Sequence, residues 1–130
     1  MIGKRVSWQV RPSSSADNDL KEIRIWTAEN FGEAQAETYA RTISSALKAL
    51  KSGPRTLGTK ARDDIEPGLF TLHIARNRRR GRHFLLFRVV ERDGREVIEV
   101  LRILHDSMDL ARHLPHLDES ARPPNNGEKT

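Results

Sequence analysis

The chain has 130 residues, room for one domain, with 36% apolar and 32% charged residues and 23 Lys+Arg against 18 Asp+Glu, a net charge of +5. It contains no cysteine, which excludes a disulfide scaffold, a thiolate zinc site and a cysteine nucleophile. The longest strong apolar run, Phe84-Leu85-Leu86-Phe87, falls far short of the roughly 20 residues that span a bilayer, and the basic start Met1 to Arg5 has no apolar stretch behind it; no membrane span or secretory signal is expected, and the cytoplasm is the expected compartment.

Val6-Ser7-Trp8-Gln9-Val10 alternates apolar and polar residues, the pattern of a short half-buried strand ended by Pro12. Ser13-Ser14-Ser15 offers helix N-caps, and from Ala16 the period lengthens. Ala16, Leu20, Ile23 and Thr27 recur at helical spacing with Trp26 beside them, while Lys21, Glu22 and Arg24 take the other side, so a helix is expected to Asn30. Phe31-Gly32 breaks it. Ala36, Tyr39, Ala40, Ile43, Leu47 and Leu50 trace a second helical stripe as far as Ser52-Gly53-Pro54, which makes an antiparallel helical hairpin with a tight connection. The polar stretch Arg55 to Pro67, anchored by Leu57 and Ile65, reads as an ordered loop.

Leu69 to Ile74 and His83 to Val90 have the β-branched and aromatic content of strands, and Asp93-Gly94 marks a two-residue hairpin turn, so Val97 to Leu104 is the antiparallel partner. Counting outward from that turn, Arg92 faces Arg95, Val90 faces Val97, Arg88 faces Glu99 and Leu86 faces Leu101. One sheet face then carries Phe84, Leu86, Val90, Val97, Leu101 and Ile103, and the other Leu85, Phe87, Val89, Ile98, Val100 and Leu104. Two helices cover one face of a small sheet, so the second face is expected to be covered by another protein chain. Asp106 to Leu114 has the pattern of a short final helix stopped by Pro115, which places the domain in residues 1–115. Residues 116–130 are almost devoid of apolar side chains and are expected to form a disordered tail.

Arg76, Arg78, Arg79, Arg80 and Arg82 put five arginines into seven residues at a strand connection, a local positive field that attracts an acidic protein or phosphates, or else a solvated turn. No aromatic residue interleaves them, which does not favour stacking on single-stranded bases. His113 and His116 flank Pro115 without a supporting carboxylate pattern, so no metal site and no cofactor is expected. His73 and His83 lie at strand positions where a structural role is the commoner one, and His105 sits where a strand ends and its side chain can reach a cleft. No serine stands in a Gly-x-Ser-x-Gly context, Asp63-Asp64 reads as a turn device, and Tyr39, on the core stripe, is not expected to act as a catalytic phenol.

Ala16-Asp17-Asn18-Asp19-Leu20-Lys21-Glu22-Ile23 with Phe31-Gly32, Arg62 to Leu69, Gly81 to Val90, and Val100-Leu101-Arg102-Ile103-Leu104-His105 followed by Met108-Asp109 agree in order and spacing with blocks of a known family. Over roughly residues 5–114 the chain resembles the RelE/ParE superfamily of toxins from bacterial type II toxin-antitoxin modules, and its ParE branch most. The resemblance implies an α+β fold: a strand, a two-helix hairpin and three antiparallel strands. It further implies an acidic antitoxin from an adjacent gene as partner and DNA gyrase as target, with inhibition by binding rather than catalysis. Partner contacts are expected from Arg76, Arg78, Arg79, Arg80, Arg82, Arg102, His105 and Met108. The alternative is the RelE-like activity, a ribosome-dependent mRNA endoribonuclease, for which Arg88, Arg102 and His105 are the candidates, with no tyrosine expected near the sheet. A third possibility is a basic DNA-binding module, for which neither helix offers a basic reading face. Direct sequence-specific nucleic-acid binding is not expected. The Arg76–Arg82 turn and the tail after Leu114 are longer than in typical ParE chains.

Overall fold

Ser13 starts the helical layer. Its hydroxyl accepts the Ala16 N–H at 3.0 Å and donates to the Leu101 carbonyl at 2.9 Å, so one side chain both caps a helix and ties it to the sheet. The computed structural model describes residues 7–108. In chain order these are β1 (Val10–Pro12), α1 (Ser14–Phe31), α2 (Glu33–Ala49), a 3-10 turn (Leu50–Ser52), β2 (Lys60–Ala61), β3 (Leu69–His73), β4 (His83–Arg92) and β5 (Arg95–His105). Gly32, at φ +97°, separates the two helices with no linker beyond itself, a backbone conformation that side chains with a Cβ rarely adopt.

The strands form one five-stranded sheet in the order β1-β5-β4-β3-β2. β1 runs parallel to β5, and the remaining pairs are antiparallel. The architecture is the α+β arrangement expected from the sequence, with three corrections. The first strand is Val10–Pro12 rather than Val6–Val10. Proline, which lacks an N–H, is accommodated because β1 is an edge strand. The stretch taken for a loop contributes β2, too short for periodicity to reveal, with Lys60 opposite Thr71 and Ala61 opposite Phe70.

The third correction is in register. Arg92/Arg95, Val90/Val97 and Arg88/Glu99 pair as counted from the Asp93-Gly94 turn, but Phe87 faces Val100 and Leu86 faces Arg102. Leu101 is the extra residue of a β-bulge, and every side chain beyond it changes face. Ile103 therefore joins Leu85, Phe87, Ile98 and Val100 against the helices, and Leu104 joins Leu69, Leu86 and Leu101 on the opposite face. Those four leucines are buried within this single chain, with Ile65 and Phe84 packed on them, so that face needs no second chain to cover it.

The helix-facing core is anchored by Ile43, Ala46 and Leu50 against Leu72, Ile74, Leu85, Phe87, Ile98 and Val100. Each large apolar side chain fully buried there contributes about 1.5–3 kcal/mol relative to exposure. α2 buries Ala36, Thr42, Ile43 and Ala46, whereas α1 buries only Ala16 and Thr27. The outer helix is thus packed less deeply, with Leu20 and Ile23 partly buried against the core, and an ion pair described below also fastens it. Asp106 to Met108 form a turn rather than a helix. The rest of the expected final helix, residues 109–114, and the expected tail lie outside the described residues. No described helix is long and apolar enough to cross a membrane.

Candidate functional site

α1 is packed less deeply than α2, and Ile23, Trp26 and Phe31 of its apolar residues line an open groove. The groove, about 880 Å³, runs between α1, the start of α2 and the far ends of β4 and β5. Ile23, Trp26, Phe31, Ile103, Leu104 and Met108 are its apolar lining. Trp26, Phe31 and Met108 are 58%, 64% and 43% exposed, and Trp26 meets Phe31 edge to face with ring centroids 5.8 Å apart. Contiguous exposed apolar surface of this kind marks a contact site.

Arg102 crosses from β5 to α1 and is bound by Asp19. Its Nε donates to Oδ2 at 2.7 Å and Nη2 to Oδ1 at 3.0 Å, while Oδ2 also accepts the Ile103 N–H at 2.9 Å. The two side chains are 25% and 11% exposed, so this bidentate pair is largely withdrawn from water and fastens α1 to the bulged strand.

A second network closes the groove's polar end. Gly81 lets the chain pass close beneath Tyr39; a Cβ there would lie 2.5 Å from Ile74 and 3.2 Å from the Tyr39 hydroxyl. That hydroxyl accepts the Arg82 N–H at 2.8 Å and shares a 2.7 Å hydrogen bond with His83 Nδ1. Tyr39 thus reaches the sheet, contrary to the expectation from its place on the core stripe; its ring packs against the helix-facing core while its hydroxyl reaches the first residue of β4. Burial raises the Tyr39 pKa. Burial, reinforced by neighbouring His105, pulls His83 down to about 4, so it is neutral at pH 7. The His83 and His105 rings are edge to face at 5.2 Å.

His105 Nδ1 accepts the Ser107 N–H at 3.1 Å, and His73 Nδ1 accepts the Ala75 N–H at 3.0 Å while its Nε2 lies 3.0 Å from Asp106. Asp106 also binds the Arg82 guanidinium at 3.0 Å. Its pKa falls to about 2, first because of Arg82 and then because of His73, and the same contact raises the Arg82 pKa. Among the described residues no group of three or more metal-ligating side chains is arranged to hold a metal ion. His113 and His116 lie outside them.

Four of the residues singled out from the sequence, Arg82, Arg102, His105 and Met108, line this groove. Arg76, Arg78, Arg79 and Arg80 stand apart, on the β3–β4 connection. Arg88 also stands apart, bound to Glu99 at 3.0 Å alongside Arg92 at 3.3 Å. The structure does not bring Arg88 together with Arg102 and His105. Sequence reasoning missed Asp19, Trp26, Phe31, Tyr39 and His83 as groove residues. Only the exposed aromatic pair left a trace, since Trp26 sits beside the helical stripe rather than on it.

A two-helix hairpin with a mixed five-stranded sheet is the fold of the RelE/ParE toxins. The chain belongs to the ParE family: the family model described as ParE toxin of type II toxin-antitoxin system, parDE, matches residues 10–110. Proteins named Toxin ParE1 from two strains of Mycobacterium tuberculosis are each 36% identical to it over 102 residues, 78% of this chain and 93% of theirs. Among solved structures, the chromosomal ParDE toxin-antitoxin system from P. aeruginosa shares the fold, with a TM-score of 0.61 and 22% identity, over 76% of this chain and 96% of that one.

Proposed function

We propose that this toxin acts in the cytoplasm by binding DNA gyrase, and that an acidic antitoxin from an adjacent gene neutralises it by laying an amphipathic segment into the groove. The observation that carries the antitoxin site is the exposed Trp26, Phe31 and Met108 surface beside Arg82, Arg102 and His105. The gyrase target rests on what the family implies. The basic turn is the second expected contact, steering an acidic partner by its field.

The Tyr39–His83–His105 cluster keeps the endoribonuclease alternative in view, because phenol and imidazole are acid–base groups. Against it, Arg102 is neutralised by Asp19, and Arg88 is bound by Glu99 away from the groove. Induction of the chain alone in a gyrase-sensitive host separates the readings. Gyrase binding produces DNA breaks and filamentous cells with message intact. Codon-position-specific cleavage of ribosome-bound message, abolished by Arg102→Ala or His105→Ala, would replace it with the nuclease reading. Salt-dependent binding to plain duplex DNA without gyrase would support the DNA-binding alternative.

A further inference from the structure

At the polar end of the groove two carboxylates are already engaged. The Asp19 carboxylate accepts from Arg102 twice and from the Ile103 N–H, and that of Asp106 from His73 and Arg82. The His105 imidazole is oriented by its other nitrogen. Because His105 Nδ1 accepts the Ser107 N–H, its neutral form carries the proton on Nε2. That Nε2 has no hydrogen-bond partner among the described residues, and His105 lines the groove.

Resting on the reading of the groove as the antitoxin's seat, we infer that a carboxylate of the bound segment is held by the Nε2–H of His105, at the groove end that Arg82 and Arg102 also line. The His83 ring packs edge to face with that of His105, centroids 5.2 Å apart, and fixes its place at the groove end. The apolar walls take the segment's hydrophobic residues, and the acidic side chain fixes its register. A nucleic-acid strand fits less well. Among the lining side chains, Asp19 and Glu22 balance Arg82 and Arg102, which leaves no net field for a run of phosphates, whereas a single carboxylate needs only local donors.

The test is selection of amphipathic helical peptides from a phage-displayed library on the purified full-length chain, followed by affinity measurements with synthetic copies. Enriched peptides should carry Asp or Glu at one fixed spacing from their apolar pair, and changing that residue to Asn or Gln should weaken binding about tenfold or more. His105→Phe should erase the preference for acid over amide. His105→Gln, whose side-chain amide can present an N–H in place of the imidazole Nε2, should retain it, which guards against a misfolded Phe variant. Trp26→Ala should weaken every groove peptide whatever its charge. If Trp26→Ala weakens binding but no acidic position is enriched, or His105→Phe leaves the acid preference intact, the carboxylate seat is wrong and the groove reading stands. Binding indifferent to Trp26→Ala overturns both. Displacement of the peptides by single-stranded RNA, with RNA affinity lost in His105→Phe, overturns the peptide carboxylate in favour of a phosphodiester.

Discussion

The groove and the arginine turn use the same side chain in opposite ways. In the groove, Arg102 and Arg82 are each bound to a carboxylate, and the large exposed side chains Trp26, Phe31 and Met108 are apolar. On the β3–β4 connection, none of Arg76, Arg78, Arg79 and Arg80 meets a carboxylate among the described residues, although Arg24, Arg41, Arg62, Arg88 and Arg92 elsewhere all do. The turn is nevertheless shaped. Asn77 and Arg78 are consecutive left-handed residues, at φ 52° and 67°, and Arg79 Nη1 reaches the Thr42 hydroxyl at 3.3 Å. Charge consumed internally leaves a surface that holds by burial. Charge left exposed acts at a distance and adds little to affinity.

The largest expected effect breaks the groove's internal pairing. Asp19→Ala strands the Arg102 guanidinium and the Ile103 N–H together, and should cost about 2–4 kcal/mol of folding stability, read by denaturant unfolding. Asp19→Asn, which keeps an acceptor, should lose less. A change in either variant no greater than that of an exposed surface substitution would show that α1 is held by packing alone.

Trp26→Ala separates binding from stability. The indole is more than half exposed, so melting should shift little, while affinity for the antitoxin should fall by about 2 kcal/mol, close to thirtyfold, as for a buried aromatic anchor at an interface. Calorimetric titration measures it.

Acid sharpens the contrast because the groove holds a histidine, His83, displaced far from its ordinary pKa. His83 titrates near 6.5 when unfolded and at about 4 when folded, so the unfolded chain binds the extra proton between those values. Stability should therefore decline as pH falls from 6.5 to 4, by about 1–2 kcal/mol once partial solvent screening is allowed for. The Asp106 contribution, with a folded pKa of about 2, is lost only below its unfolded value of 3.8. Comparing urea unfolding of the parent and His83→Gln across pH 7 to 4.5 isolates the imidazole, and the variant should show the flatter profile.

The smallest effect on stability belongs to the turn. Arg78→Ser, Arg79→Ser and Arg80→Ser combined remove exposed charges and one 3.3 Å hydrogen bond, and the melting temperature should stay nearly unchanged. If the triple variant unfolds, the turn is part of the scaffold and the contrast with the groove disappears.

Local signals made the elements legible. Helical spacing traced both helices, Gly32 marked their junction, and Asp93-Gly94 counted the β4–β5 register correctly as far as Arg88 and Glu99. That count failed at Leu101, because a bulge is set by how the strand meets Ser13 and Asp19 across 80 residues of chain and more, where the Ser13 hydroxyl takes the Leu101 carbonyl and Asp19 takes Arg102 and the Ile103 N–H. The groove was half legible. Arg102, His105 and Met108 stood out at the end of the last strand, but Asp19, Tyr39 and His83 acquire their roles only through contacts between distant elements. Trp26 was visible as an apolar residue, not as an exposed one, because periodicity does not report how deeply a helix sinks.

The division of labour between the two regions is tested most directly by the association and dissociation rates of the antitoxin complex, measured by stopped flow over a range of salt. Trp26→Ala should raise the dissociation rate at least tenfold and leave association unchanged. The Arg78, Arg79 and Arg80 triple variant should slow association and flatten its salt dependence with dissociation unchanged. Both variants altering the same rate constant, or the triple variant leaving association and its salt slope untouched, would contradict it.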